Sequence, residues 1–234
     1  MKVAVLGAGA IGAYVGAALH RAGVEVHLIA RGEHLQAIRR AGVRVLSPRG
    51  DFTAHPHATD DPAEVGPVDH VFLGLKANSY ASAGPMIAPL LHATTSVIAA
   101  QNGIPWWYFH RLEGPYEGYR IESVDPGGAV TAALPLHRAV GCVVYAATEI
   151  ESPGVVRHLE GTRFSIERRL RGAEKAGEHK TSTLQDLEKG KPLELDVLLA
   201  AVVELADLTG ADVPTLRAIH AVSDLLNANL VRAV

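Results

Sequence analysis

The stretch Gly7-Ala8-Gly9-Ala10-Ile11-Gly12 constrains this chain more than any other. Val3 to Leu6 before it is an apolar run that reads as a short buried strand, and Ile11 to Arg21 after it is small and aliphatic and reads as a helix. Strand, glycine loop and helix in that order are the context in which G-x-G-x-x-G binds a dinucleotide. Gly7 makes the tight turn, Gly9 lets backbone approach a pyrophosphate, and Gly12 lets the helix pack on the strand. The pyrophosphate then sits at the helix N-terminus, where unpaired N–H groups and the positive end of the dipole favour an anion. An ordinary tight turn is the competing reading of the same glycines.

Composition narrows the setting. With 234 residues, 48% of them hydrophobic, the chain can build a real core in one large or two modest domains. A net charge of −3 with both signs scattered gives no footprint for nucleic acid. No apolar run approaches the roughly 20 residues needed to span a bilayer, and the N-terminus enters a strand without the zones of a signal peptide. The expectation is a cytoplasmic protein with no membrane partner. A single cysteine, Cys142, excludes an internal disulfide and a Cys-based zinc site, and in its Val-rich run it reads as core. The histidines lack close ligand spacing, so no metal is expected.

Gly23 to Ile29 reads as the second parallel strand, completing a βαβ unit. An acid at its end would bond a ribose 2′-hydroxyl, whereas an arginine pairs a 2′-phosphate. The sequence offers Ala30-Arg31-Gly32, so Arg31 argues for NADP; a solvated loop arginine is the plainer reading. His34 and Arg39 are nearby cations that could assist or lie on the surface of a short helix. Val43 to Leu46 and Asp51 to His55 read as two short strands decorating the sheet. Asp69 to Leu75 reads as a buried parallel strand ending at Lys76, where a ligand-facing role competes with a simple strand cap. A helix is expected around 79–91, interrupted at Gly84-Pro85. Thr95 to Ala100 is the next strand, and it ends in Gln101-Asn102-Gly103, where the Asn102 amide serves either a turn or a substrate carbonyl or carboxylate.

Residues 105–119 hold Trp106, Trp107, Tyr108, Phe109, Tyr116 and Tyr119, six of the chain's twelve aromatics. A flap over the cleft, a subunit interface of a homodimer and filler for a satellite core all fit that density. Strands at 141–147, 155–158 and 163–166 are expected to close the sheet as antiparallel additions. From Glu167 onward the pattern turns helical, with Pro192 to Thr209 and Pro214 to Ala233 as long helices. On this reading Glu194 lies in a helix's first turn, where the dipole favours a carboxylate. Ser182 and Asp186 lie one turn apart on a preceding short helix.

Taken together, Gly7-x-Gly9-x-x-Gly12, Arg31, Leu75-Lys76, Gln101-Asn102-Gly103, Ser182-Thr-Leu-Gln-Asp186 and Pro192-Leu-Glu194-Leu-Asp196 resemble the ketopantoate reductase (2-dehydropantoate 2-reductase) family. The resemblance implies an NADPH-dependent oxidoreductase of pantothenate biosynthesis acting on a small keto acid. It implies that Gly7, Ala8, Gly9, Ala10, Ile11, Gly12 and Arg31 bind the cofactor. It implies that Lys76 and Asn102 line the nicotinamide and substrate pocket, and that Ser182 and Glu194 hold the substrate; Lys76, Asn102 and Glu194 are the catalytic candidates. One departure stands out: the family carries a helix with a catalytic lysine followed one turn later by asparagine. Here none of Lys175, Lys180, Lys189 or Lys191 has asparagine four residues on. About 70 residues of an ordinary helical domain are missing. Either the chain is shortened there or the sequence joins two pieces across an absent stretch.

The expected fold is an α/β Rossmann-type domain over 1–166 and a smaller, shortened all-helical domain over 167–234. Ketone reduction needs a hydride donor and a group that stabilises and protonates the developing oxyanion. A reductase of another 2-keto acid, a dehydrogenase of an amino or imino acid, and a non-catalytic NADP(H)-binding or sensing protein are the alternatives.

Overall fold

The computed structural model describes residues 1–167, 182–188 and 190–232. Its strands are β1 (Lys2–Leu6), β2 (Glu25–Ile29), β3 (Val43–Leu46), β4 (Phe52–Ala54), β5 (His57–Thr59), β6 (His70–Leu73), β7 (Ser96–Ala100), β8 (Ala139–Val144), β9 (Ala147–Ser152), β10 (Val155–Glu160) and β11 (Phe164–Glu167). The helices are α1 (Ala10–Arg21), α2 (Gly32–Ala41), α3 (Pro62–Val65), α4 (Gly84–Ile87), α5 (Ala129–Ala133), α6 (Ser182–Glu188), α7 (Ala201–Thr209) and α8 (Pro214–Arg232).

Six strands run parallel in the order β5-β2-β1-β6-β7-β8, and β11 adds antiparallel at the outer edge of β8. Winding reverses between β1 and β6, so the crevice beyond their carboxyl ends is where such a sheet takes a ligand. The apolar run of β1 is explained by burial on both faces. Val3 and Val5 point into one cluster with Ala13 and Ala17 of α1, whereas Ala4 and Leu6 point into the other with Tyr80, Ile87 and Trp106.

The two strands read as decorations of the main sheet do not join it. β3 and β4 form a separate four-stranded sheet, β4-β3-β10-β9, in which β3 and β10 run parallel. The reason is the face that β3 must bury: Val43 and Val45 are fully enclosed, and Val156 of β10 shares their cluster. This sheet lies against α1, with Tyr14 stacked on His158 at 4.7 Å between ring centroids. Only β11 closes the main sheet antiparallel as expected; β8 joins it parallel, and β9 and β10 belong to the second sheet. The edge strand β5 went unread because Pro56 and its flanking histidines carry no strand signal.

The single helix expected around 79–91 is a run of short turns, Ala77–Ser79, Ala81–Ala83, α4 and Ala88–Leu90, broken by Gly84-Pro85 and Pro89. The aromatic segment is largely core. Trp106, Trp107 and Phe109 are buried beside Tyr80, Val197 and Ala201, while Tyr108 and Tyr119 remain exposed. Cys142 is buried as expected, and burial pushes its thiol up to about 11.

The helix predicted from Pro192 begins later, with a π-helical turn over Asp196–Ala200 that continues into α7. Hydrogen bonds stitch it to the sheet domain, among them one from the Tyr116 hydroxyl to the Leu208 carbonyl at 3.3 Å. The Ile104 N–H donates to the Val197 carbonyl at 2.8 Å, and the Glu204 carboxylate accepts from the Glu122 N–H, the Ser123 N–H and the Ser123 hydroxyl. Helix α8 starts at Pro214 as its sequence requires. One face is held by Asn227, whose Oδ1 accepts the Leu193 N–H at 2.8 Å; the other leaves Ile219, Val222, Leu225 and Leu226 exposed. No helix among the described residues is long and apolar enough to cross a membrane.

Candidate active site

The glycine loop is built by collision. A Cβ on Gly12 would lie 2.1 Å from the Gly7 carbonyl oxygen, and one on Gly7, where φ is +89°, would lie 2.6 Å from Leu75 Cδ2. Gly74, at the end of β6, is under the same constraint, with an added Cβ 2.4 Å from the Gly7 oxygen. Backbones of β1, α1 and β6 thus meet at the switch point closer than any side chain allows. Gly9 differs: nothing lies within 4 Å of the position its Cβ would take. That open space fronts the start of α1, which no side chain caps. Its first intrahelical bond runs from Ala13 to Gly9, so the N–H groups of Ala10, Ile11 and Gly12 precede the ladder. Room at Gly9 and an uncapped helix start fit a dinucleotide pyrophosphate.

The loop is tied sideways to β2. The N–H groups of Gly7 and Ala8 both donate to the Ile29 carbonyl, at 3.2 and 3.0 Å. Two residues on, Arg31 is exposed at the N-cap position of α2, beside the loop. His34 is not the cation it was read as. It is half-buried, its Nδ1 accepts the Gly154 N–H at 3.1 Å, and burial pushes its pKa down, with a smaller opposing pull from the Ala8 backbone. Arg39 lies further along α2 and donates to the Ala58 carbonyl at 2.9 Å.

Beyond β6, residues far apart in the chain meet. Lys76 Nζ donates to Asp186 Oδ2 at 2.6 Å and to the Pro192 carbonyl at 3.2 Å, and the Ala77 N–H donates to Glu194 Oε1 at 2.8 Å. Glu194 precedes the helix instead of lying in its first turn, so its carboxylate serves the start of the Ala77–Ser79 turn. Burial pushes the Glu194 pKa up; the Ala77 N–H and Lys76 pull it back, and Asp186 adds to the rise. Asn102 stands at the carboxyl end of β7 as expected, but its amide is engaged by β8: Oδ1 accepts the Val144 N–H at 3.2 Å and Nδ2 donates to the Val144 carbonyl at 3.4 Å. Helix α6 sets Ser182 one turn before Asp186, while the Ser182 side chain lies outside the described residues. The lysines at 175, 180 and 189 also lie outside them.

Two buried polar residues near this cluster, Tyr80 and the first member of the Gln101-Asn102-Gly103 motif, have no role assigned from sequence. Gln101 is buried with neither amide atom hydrogen-bonded, and the Tyr80 hydroxyl is buried without a partner. Burial raises the Tyr80 pKa, and the nearby Glu194 charge adds to the rise. The available signal for Gln101 was parity, since it follows the inward-facing Val97 and Ala99 on β7. Among the described residues the crevice therefore carries Lys76, the Asp186 and Glu194 carboxylates and unspent polar groups beside an anion-ready loop. That set can bind a dinucleotide and a small anionic substrate.

Comparison with known proteins agrees. The ketopantoate reductase PanE/ApbA family matches residues 3–113, and its C-terminal counterpart matches residues 138–227. A 2-dehydropantoate 2-reductase of Mesorhizobium japonicum is 34% identical, with 94% of this chain and 96% of that protein covered. The alignment is 313 positions long against a chain of 234 residues, so an internal stretch of that relative has no counterpart here. A crystal structure from Ralstonia solanacearum MolK2 carrying a ketopantoate reductase assignment superposes with a TM-score of 0.86 at 27% identity, covering 98% of both chains. A D-mandelate dehydrogenase bound to NADH and anilino(oxo)acetate shares the fold at 17% identity and a TM-score of 0.75, covering 98% of this chain and 99% of that one. On matching segments at both ends and on a fold shared from end to end, the chain belongs to the ketopantoate reductase family of oxidoreductases.

Proposed function

We propose that this chain binds NADP(H) on its glycine loop and reduces ketopantoate to pantoate, the step its family relatives perform toward pantothenate. The observation that carries the reading is the junction of Lys76 with Asp186 and of the Ala77 N–H with Glu194, which draws polar groups more than 100 residues apart to the crevice beyond β6. Bound NADPH would supply the hydride to the keto carbon. The protein's own residues do the rest. The N–H groups at the start of α1 and the open backbone at Gly9 hold the pyrophosphate, and Arg31 pairs the 2′-phosphate. Asp186 and the Pro192 carbonyl engage two of the three Lys76 N–H groups, and the third is aimed at the substrate oxygen that gains negative charge. Glu194, inclined by burial to hold a proton, bonds the substrate hydroxyl together with Ser182, and Asn102 sets the height of the strand end beneath them.

A second reading is a non-catalytic NADP(H)-binding or sensing protein. It is favoured by the internal stretch missing against the Mesorhizobium relative and by the lack of any Lys-x-x-x-Asn pair among the C-terminal lysines. A reductase of another 2-keto acid belongs to the first reading with a different pocket. Mixing the protein with NADPH and ketopantoate decides among them. Equimolar NADPH loss and pantoate formation support the first reading. Tight NADPH binding with no oxidation by ketopantoate or by a panel of 2-keto acids establishes the second.

A further inference from the structure

Helix α8 is oriented against its own pattern. Its half-buried positions, Leu216, His220, Ser223, Asn227 and Leu230, recur every three or four residues and form the face turned to the protein, which is mostly polar. Ile219, Val222, Leu225 and Leu226 are between 40% and 69% exposed, with Ala218 and Ala221 exposed among them. At about 100° per residue these six share one side of the helix. Arg217 and Asp224 fall on the opposite flank, where they pair with Asp207 and His220. A water-facing helix side normally shows the reverse, polar outward and apolar inward, and a contiguous exposed apolar stripe marks a contact surface.

Among the described elements α8 packs chiefly on the Asp196–Ala200 turn, so most of its 19 residues lack the tertiary packing from which helices in proteins draw their stability. The Mesorhizobium relative has an internal stretch with no counterpart here, so the cover that such a stretch could give α8 must come from outside the chain. We infer that a second copy of this chain covers the stripe, with two α8 helices paired antiparallel across a two-fold axis. Position favours a copy of the same helix. The midpoint of Pro214–Arg232 is Ser223, next to Val222 at the centre of the stripe. An axis there overlaps the helices along their full length, brings Ile219 of each onto Leu226 of the other, and sets the two Val222 side chains together. The macrodipoles then oppose each other favourably, and a stripe without charge offers no sign by which to select a different partner. A helix about 28 Å long and about 10 Å wide, paired lengthwise with its copy, encloses on the order of 1,000 Å² in total, the least that a specific interface needs. The dimer is therefore weak and reversible.

Sedimentation velocity of the full chain from about 1 to about 100 µM reads the association, and a monomer–dimer equilibrium within that range is the expected result. Val222→Glu and Leu225→Glu should each hold the protein monomeric throughout. Both positions face water in the monomer, so circular dichroism and melting at the lowest concentration should match the parent. Val222→Cys, under a mild oxidant, should yield a disulfide-linked dimer, whereas Arg217→Cys on the opposite flank should not. A parent that stays monomeric at the highest concentration overturns the inference. So does a dimer that survives Val222→Glu, or open-ended aggregation in place of a dimer. Equal cross-linking of Val222→Cys and Arg217→Cys overturns the two-fold pairing as well.

Discussion

The two halves of the crevice are made in opposite ways. The glycine loop, α1 and the start of α2 are set by residues close in sequence, and the critical distances are between backbones: Gly12 against Gly7, and Gly7 and Ala8 against Ile29. The opposite wall depends on pairs 110 and 117 residues apart, Lys76 with Asp186 and Ala77 with Glu194, and every contact is a side-chain hydrogen bond. A backbone packed to contact tolerates no added atom, whereas a partly exposed polar junction can lose a partner and be rehydrated. Substitutions in the loop should therefore act steeply, and those in the junction gently.

The steepest test is Gly12→Ala. Its methyl carbon has no place beside the Gly7 oxygen, so α1 must shift, at a cost of about 1 to 3 kcal/mol. Nucleotide affinity should fall by up to about a hundredfold for NADPH and NADH alike, as read by fluorescence titration. Near-parental binding would mean that the loop is softer than its packing indicates. Next is Arg31→Ala. A charge-assisted contact to a 2′-phosphate contributes roughly 1.5 to 3 kcal/mol, about ten- to more than hundredfold in NADPH affinity, with NADH unchanged. Equal losses for both nucleotides would remove Arg31 from cofactor choice.

On the opposite wall the effects should be smaller and depend on pH. Burial raises the folded-state pKa of Glu194 above its unfolded value, so the folded protein holds that proton more tightly. The stabilisation this gives is fully present below the unfolded value of about 4.3 and is lost as pH rises through the raised folded value. Glu194→Gln has no proton to lose. It should melt much like the parent near pH 4 and higher than the parent at pH 8, as calorimetry at the two pH values would read. The same difference at both would show that burial of the carboxylate costs little. The mildest is Asp186→Asn. Lys76 keeps 37% of its side-chain exposure, so losing the ion pair should cost no more than about 1 kcal/mol in urea unfolding. A loss several times larger would show that the junction is as unforgiving as the loop.

The same contrast explains what could be read from the chain. The loop, the parallel strands β1, β2, β6 and β7, and the positions of Arg31, Lys76 and Asn102 at strand ends follow from local pattern, and local pattern sufficed. Glu194 was assigned to a helix's first turn because Pro192 is a good start signal. What fixes it is the Ala77 N–H, and no window of sequence around Glu194 contains that partner. Asn102 was read as half turn, half ligand; Val144 takes up its amide, again from far along the chain. The strands at 43–46 and 155–158 were each recognised and then given to the wrong sheet. Apolar alternation tells which face is buried and says nothing of what buries it.

That second sheet also bears on how the protein is made. Its central pair joins β3 to β10, a parallel pairing that cannot form until more than half the polypeptide has left the ribosome. By then β1, α1 and β2 are available to assemble, so Tyr14 on α1 must wait for His158 of β10 and the edge of β3 for its parallel partner. The nascent chain thus passes through a stage with a half-clad nucleotide fold and an unpaired strand edge, the kind of species that chaperones capture. Synthesis rate between β4 and β10 should then govern the yield of soluble protein more strongly than the final stability does.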